Sequence, residues 1–182
     1  MYIWCAIDLD RQLLGLHSAA EKVSFEVGKG NPALTLPLHI SLKISCEVED
    51  RRFDEVVEEI SAHFSGESPF EITPICVERC GGVVWIRHRE TPELSSLHEW
   101  LVDLFRDKYG SVPHEFDLDF AYHSSLFVGE EGDAIRAYEL LKSVKLPERL
   151  MADSFVIGCS ESGKAGEYKV IRNSKFEMMN AE

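Results

Sequence analysis

Apolar residues follow two rhythms in this chain, short runs with period two and longer stretches with period three to four, and these alternate from the N-terminus onward. Tyr2 to Leu9 is an apolar run that predicts a strand. Asp10 then caps a helix from Arg11 to about Phe25, with Leu13, Leu14, Leu16 and Val23 as its apolar stripe. Gly28, Gly30, Asn31 and Pro32 mark a loop, and His39 to Cys46 reads as a strand. Asp50 opens a helix with Phe53, Val56, Val57 and Ile60 at helical spacing, followed by strands over Pro69 to Val77 and Gly82 to Arg87. Thr91-Pro92-Glu93 is a strong helix start, with proline at the first helical position and Leu94, Leu97, Leu101, Leu104 and Phe105 along one side. Pro113 to Asp119 reads as an acidic loop, Tyr122 to Val128 as a strand, and Asp133 to Leu141 as a helix. Ala152 to Cys159 and Tyr168 to Phe176 predict a hairpin across Ser162-Gly163-Lys164-Ala165-Gly166.

The order strand, helix, strand, helix, strand is used twice. The first helix starts near residue 10 and precedes His39 by 29 residues; its counterpart starts near residue 92 and precedes His123 by 31. From each histidine to the next helix cap is 11 residues in one half and 10 in the other. The two histidines are 84 residues apart, which predicts an internal duplication: one two-lobed domain over residues 1–182, its halves about 1–80 and 81–182. Pseudo-twofold symmetry would set the two histidine strands as mates across a cleft.

Those strands carry the candidate chemistry. One reads His39-Ile40-Ser41-Leu42, the other His123-Ser124-Ser125-Leu126. Residues two apart on a strand point to the same face, so each segment presents an imidazole beside a hydroxyl. Alternation puts His39, Ser41 and Lys43 on one face, opposite Leu38, Ile40, Leu42 and Ile44. In the second segment His123, Ser125 and Phe127 share a face, opposite Tyr122, Ser124, Leu126 and Val128. A lone strand histidine is more often a hydrogen-bonded structural residue than a catalyst. Two, each with serine at the second following position and leucine at the third, in equivalent places of a repeat, are hard to account for that way. Facing one another they supply two proton-transfer groups and two hydroxyl donors, which is what cleaving a phosphodiester without a metal requires.

Composition narrows the partners. The 182 residues are 45% hydrophobic and 28% charged, ordinary globular material. The net charge of −13 and the absence of a Lys/Arg run argue against a protein that grips long nucleic acid, where phosphate contacts dominate affinity. No apolar run approaches the ~18 residues of a membrane span, and the N-terminus lacks the basic region of a signal peptide, so a cytoplasmic protein is expected. Cys5, Cys46, Cys76, Cys80 and Cys159 are scattered and odd in number, consistent with reduced thiols. Cys76 and Cys80, with His88 nearby, lack the second ligand pair of a zinc site. His17, His63, His88, His98 and His114 read as structural or solvent-exposed, and the Glu58-Glu59, Glu130-Glu131 and Asp117/Asp119 pairs as solvated faces.

At this point the paired motifs resemble the His-x-Thr/Ser-x signatures of the two-histidine (2H) phosphoesterase superfamily, which includes 2′–5′ RNA ligase-like proteins and cyclic nucleotide phosphodiesterases. The resemblance spans nearly the whole chain: Trp4-Cys5-Ala6-Ile7-Asp8 is similar to the aromatic-rich first strand of that family, and Gly166-Glu167-Tyr168-Lys169-Val170 to its last hairpin. Serine stands at 41 and 125 in place of the commoner threonine, and Ser124 where an apolar residue is usual. The resemblance implies a bilobed, pseudo-twofold α+β fold, with two antiparallel sheets facing a central cleft and helices packed outside. It also implies cleavage of 2′,3′-cyclic phosphates or related RNA-end phosphodiesters, with His39 and His123 as acid and base and Ser41 and Ser125 as donors to the phosphoryl oxygens. Tyr168, Trp4 and Lys43 are the candidate substrate contacts: a cleft tyrosine, an indole that could stack a base, and a cation that could offset phosphate charge. The substrate expected is a small nucleotide or RNA end, taken by a monomer with no cofactor, no metal, no long nucleic acid and no membrane. The alternatives are a non-catalytic nucleotide or RNA-end binding module of the same fold, and an RNA 2′–5′ ligase.

Overall fold

A computed structural model describes residues 1–28 and 30–176. The elements in chain order are β1 (Tyr2–Asp8), α1 (Leu14–Val27), β2 (His39–Ser41), β3 (Cys46–Glu47), α2 (Phe53–Ser65), β4 (Phe70–Ile72), β5 (Pro74–Cys80), β6 (Val83–His88), α3 (Pro92–Tyr109), α4 (Glu115–Leu118), β7 (His123–Val128), α5 (Glu131–Leu141), β8 (Leu150–Ala152), β9 (Ser154–Ser160) and β10 (Lys169–Lys175).

All strand pairs are antiparallel. One sheet runs β10-β9-β1-β2, with β3 also pairing the far end of β1; the second runs β5-β6-β7; β4 and β8 form a separate short ladder. The pairing is exchanged between the halves of the chain. The last strand of the first half, β5, joins the second sheet, while β9 of the second half joins the first. Helices are exchanged likewise: α1 and α5 pack together on the outer side of β5-β6-β7, while Phe64 of α2 meets Phe155 of β9 and Trp100 of α3. Each sheet is thus packed against helices. β2 and β7 lie against each other, so the two motifs meet where the sheets adjoin.

Local physics accounts for the differences from the sequence reading. Asp10 does not cap α1. It begins a short 3-10 turn (Asp10–Gln12), and its carboxylate accepts from the Leu38 amide (3.1 Å) and bonds the His17 imidazole (2.9 Å), tying the approach to β2 to the end of β1. Helix α1 consequently starts at Leu14, and Leu14 itself is exposed. The strand expected over His39 to Cys46 is interrupted: the chain bends over 42–45, and only its ends are strands. Pro69 to Val77 holds two strands in different sheets, and the helix expected at Asp133 begins at Glu131. The expected loop over 113–119 contains α4, closed by reciprocal caps between His114 and Asp117.

Asn31 closes the free edge of β7. Its side chain donates to the Leu126 carbonyl (2.8 Å) and to Ser24 (2.9 Å) and accepts from the Val128 amide (3.0 Å), so one amide replaces a missing strand partner. A register shift between Val84 and Trp85 puts Phe127 in the core, and Val128 takes the cleft position that simple alternation gives to Phe127. No helix among the described residues is long and apolar enough to cross a membrane.

Candidate active site

His39, Ser41, His123 and Ser125 line one cleft of about 270 Å³, together with Trp4, Lys43 and Tyr168. The structure therefore brings every residue singled out in the sequence to the rim or floor of a single cavity.

The two imidazoles are held the same way. Nδ1 of His39 donates to the Pro37 carbonyl at 2.6 Å, and Nδ1 of His123 to the Ala121 carbonyl at 2.7 Å, in both cases the residue two positions earlier. A carbonyl can only accept, so the neutral ring carries its proton on Nδ1 and leaves Nε2 with its lone pair. Each ring also rests on an indole from the adjacent strand: Trp4 meets His39 edge-on at 4.5 Å, and Trp85 lies against His123 at 4.4 Å. Burial pushes His39 down to about 4; the bond to Pro37 opposes this, the charge of His123 adds to it, and Asp8 opposes it weakly. Burial also lowers His123, against the bond to Ala121. Two imidazoles that repel each other's charge in one cleft form a site better suited to an anion between them than to two free cations.

Trp4 is almost wholly covered, with 7% of its surface exposed, and its indole N–H donates to Ser41 Oγ at 2.9 Å. It is part of the cleft floor, with no face open for a base, and Gly158 makes room for it: a Cβ there would lie 2.7 Å from the indole. Tyr168 sits edge-on to Trp4 and donates its hydroxyl to Ser45 at 2.6 Å.

Lys43 turns inward where the strand bends. Its ammonium meets Asp117 Oδ2 at 3.0 Å and the Ile44 carbonyl at 3.1 Å, and it is buried. Asp117, read from the sequence as part of a solvated acidic face, is buried and also accepts from the Ile44 and His114 amides (3.0 and 2.9 Å). This ion pair fastens α4 to the bend after β2. His98, on α3, reaches the Leu42 and Asp117 carbonyls with its two ring nitrogens and stacks on Phe120, another cleft residue. Behind His123, the serine that stands where an apolar residue is usual finds its partner: Ser124 is fully buried and hydrogen-bonded at 2.9 Å to Nε2 of His88, whose pKa burial pushes down to about 3.

Trp85, Ser45 and Phe120 escaped the sequence reading. Trp85 had a usable signal, an aromatic in a period-two strand two residues before Arg87; the others sit in irregular segments with none.

No protein-family model and no curated protein sequence matches the chain. Solved structures do match, across 97% of its length. TT0787 of Thermus thermophilus is similar with a TM-score of 0.63, 17% identity and 98% of that chain covered. E. coli LigT in apo form is similar at 0.55, 17% and 97%. Kluyveromyces marxianus Usb1 is similar at 0.51, 10% and 98%. The chain has the fold shared by TT0787, E. coli LigT and Usb1.

Proposed function

We propose that the protein is a metal-independent phosphodiesterase that hydrolyses 2′,3′-cyclic phosphates or related RNA-end or nucleotide phosphodiesters by two-histidine acid–base catalysis. The observation that carries this reading is the matched pair of imidazoles, each with Nδ1 bound to the carbonyl two residues before it, lining one cleft with a serine hydroxyl beside each. A binding module needs no such matched acid–base pair. E. coli LigT has been solved with 3′-AMP, with NADP+ and with ATP, ligands of the class proposed.

In the proposed reaction a phosphate sits between the rings. One histidine, neutral, takes a proton from water through Nε2 as the water oxygen bonds to phosphorus. The other, protonated, gives its Nε2 proton to the ribose oxygen as the phosphorus–oxygen bond of the ring breaks. The proton count closes, since one imidazole gains what the other loses. The anion offsets the burial that chiefly depresses His39 and the smaller effect of the His123 charge, so the imidazolium needed as acid forms more readily with substrate bound. Ser41 and Ser125 donate to the non-bridging oxygens, where charge builds in the transition state. We also read the two halves, about 1–80 and 81–182, as copies of one ancestral unit, with the exchanged strands and helices in support.

The test is a panel of nucleoside 2′,3′-cyclic phosphates and 2′–5′ and 3′–5′ linked oligonucleotides incubated in EDTA, with products identified by phosphorus NMR. Formation of a 2′- or 3′-monoester in EDTA is expected. No turnover of any member, or turnover restored only by a divalent metal, refutes the reading.

A further inference from the structure

The cleft ends at His123 and Ser125, but the sheet that carries them continues past it. In the antiparallel register Cys76, Arg87 and His123 form one cross-strand row, and Glu78, Trp85 and Ser125 the next. Residues paired this way share a face with Cβ atoms ~5 Å apart. The open face of β5-β6-β7 therefore presents an indole and a guanidinium immediately beside the candidate catalytic pair.

The cluster is organised around Glu78. Its carboxylate receives Trp85 Nε1, Arg87 Nη1 and the Cys76 thiol, each at 3.4 Å. Burial pushes Glu78 up, but the bonds from Cys76 and Trp85 and the Arg87 charge outweigh it, so the carboxylate stays ionised. The anchored indole is half-buried, with one side against His123. Arg87 is different from Lys43. Its side chain is 55% exposed and its ion pair with Glu78 is long, whereas Lys43 is enclosed with Asp117. A long, exposed pair contributes little to stability, so the guanidinium can turn to a phosphate at little cost.

We propose that this face is a second nucleotide subsite. It takes the residue on the 5′ side of the cleaved end, with that residue's base on Trp85 and the linking phosphodiester on Arg87. The inference rests on the proposed phosphodiesterase reading and narrows its substrate from mononucleotides to short single-stranded RNA ends. One guanidinium matches one additional phosphate, in keeping with a chain of net charge −13 that has no stripe for long RNA.

The experiment is calorimetric titration with two product-like ligands. One is uridine 3′-monophosphate; the other is a diuridine ending in a 3′-phosphate, with a 2′-O-methyl group on its first residue to block internal cleavage. The wild type is expected to bind the dinucleotide about tenfold tighter, from the guanidinium–phosphate contact and the stacked base it positions acting together. Arg87→Gln should cut that gain to about threefold or less, while Arg79→Gln, on the other side of β5, should keep it. Equal affinities in the wild type, a gain that survives Arg87→Gln, or binding of neither ligand overturns the subsite. Turnover of uridine 2′,3′-cyclic phosphate, assayed in parallel, separates the two readings. Turnover without a dinucleotide gain removes the subsite alone, and a gain without turnover removes the hydrolase alone.

Discussion

The indole N–H of Trp4 donates to Ser41 Oγ at 2.9 Å. A serine hydroxyl has one hydrogen and two lone pairs, so accepting from the indole leaves the Ser41 hydrogen free to point at a ligand. Trp4 thereby turns an ambivalent hydroxyl into a donor aimed into the cleft. Ser41→Ala is expected to lower turnover of the best cyclic phosphate by about 10²–10³-fold, and Ser125→Ala likewise, as for a lost oxyanion donor. Trp4→Phe keeps the packing and loses only the orienting bond, with an expected loss of about three- to tenfold. Ser→Thr at 41 or 125 should retain activity, since the hydroxyl remains and a β-branched residue suits a strand. Steady-state kinetics of the five variants check this series.

Replacing either His39 or His123 by alanine should lower turnover by about 10²–10⁴-fold, the contribution of one general acid or base. The pH profile follows from the lowered pKa values. The histidine acting as base loses activity as pH falls through its pKa, and the one acting as acid loses it as pH rises through its own. Both free-enzyme values lie below the ordinary 6.5. The optimum of kcat/KM is therefore expected below pH 6.5, while that of kcat, set by the complex with an anion between the rings, lies higher. Coincident optima at pH 8 or above would contradict the assignment.

His88 couples stability to pH. It is buried, held to Ser124 through Nε2, and its Nδ1 has no partner among the described residues. Its folded pKa of about 3 lies below the ordinary 6.5, so the unfolded chain binds the extra proton first. Stability is then full above pH 6.5 and falls as pH drops from 6.5 toward 3, by several kcal/mol at ~1.4 per pH unit. His88→Gln should flatten this part of the curve. Urea midpoints at pH 7 and pH 4.5 for the two proteins measure the difference.

The Lys43–Asp117 pair predicts an asymmetry. Asp117→Ala strands a buried ammonium and frees α4 from the bend after β2, with an expected cost of about 3–5 kcal/mol in urea unfolding at pH 7. Lys43→Met leaves a carboxylate that still accepts two backbone amides, so its cost should be smaller. With its ammonium enclosed, Lys43→Met should lower kcat/KM less than tenfold.

The sequence by itself determined the elements whose cause is local. Proline at the first position of α3, with Thr91 accepting from the Leu94 amide, fixes that helix start without outside help. The period-two spacing of His and Ser fixes that each pair shares a face, and the repeated order of elements was legible because each half obeys the same patterning. Tertiary structure decided what depends on partners distant in the chain. Alternation cannot foresee that Lys43 turns inward, because the carboxylate that draws it there is 74 residues away. Nor can it foresee that Phe127 leaves the cleft face, because the bulge that leaves Leu126 unpaired is set by how β7 registers against β6. Asp117 looked solvated because its acceptors are satisfied by backbone amides and an ammonium that only the fold delivers. The two cleft histidines lie between these cases. Their residue types and spacing are local, while the shared cleft, the indoles beneath them and the lowered pKa values follow from burial and proximity, which exist only once the two sheets have met.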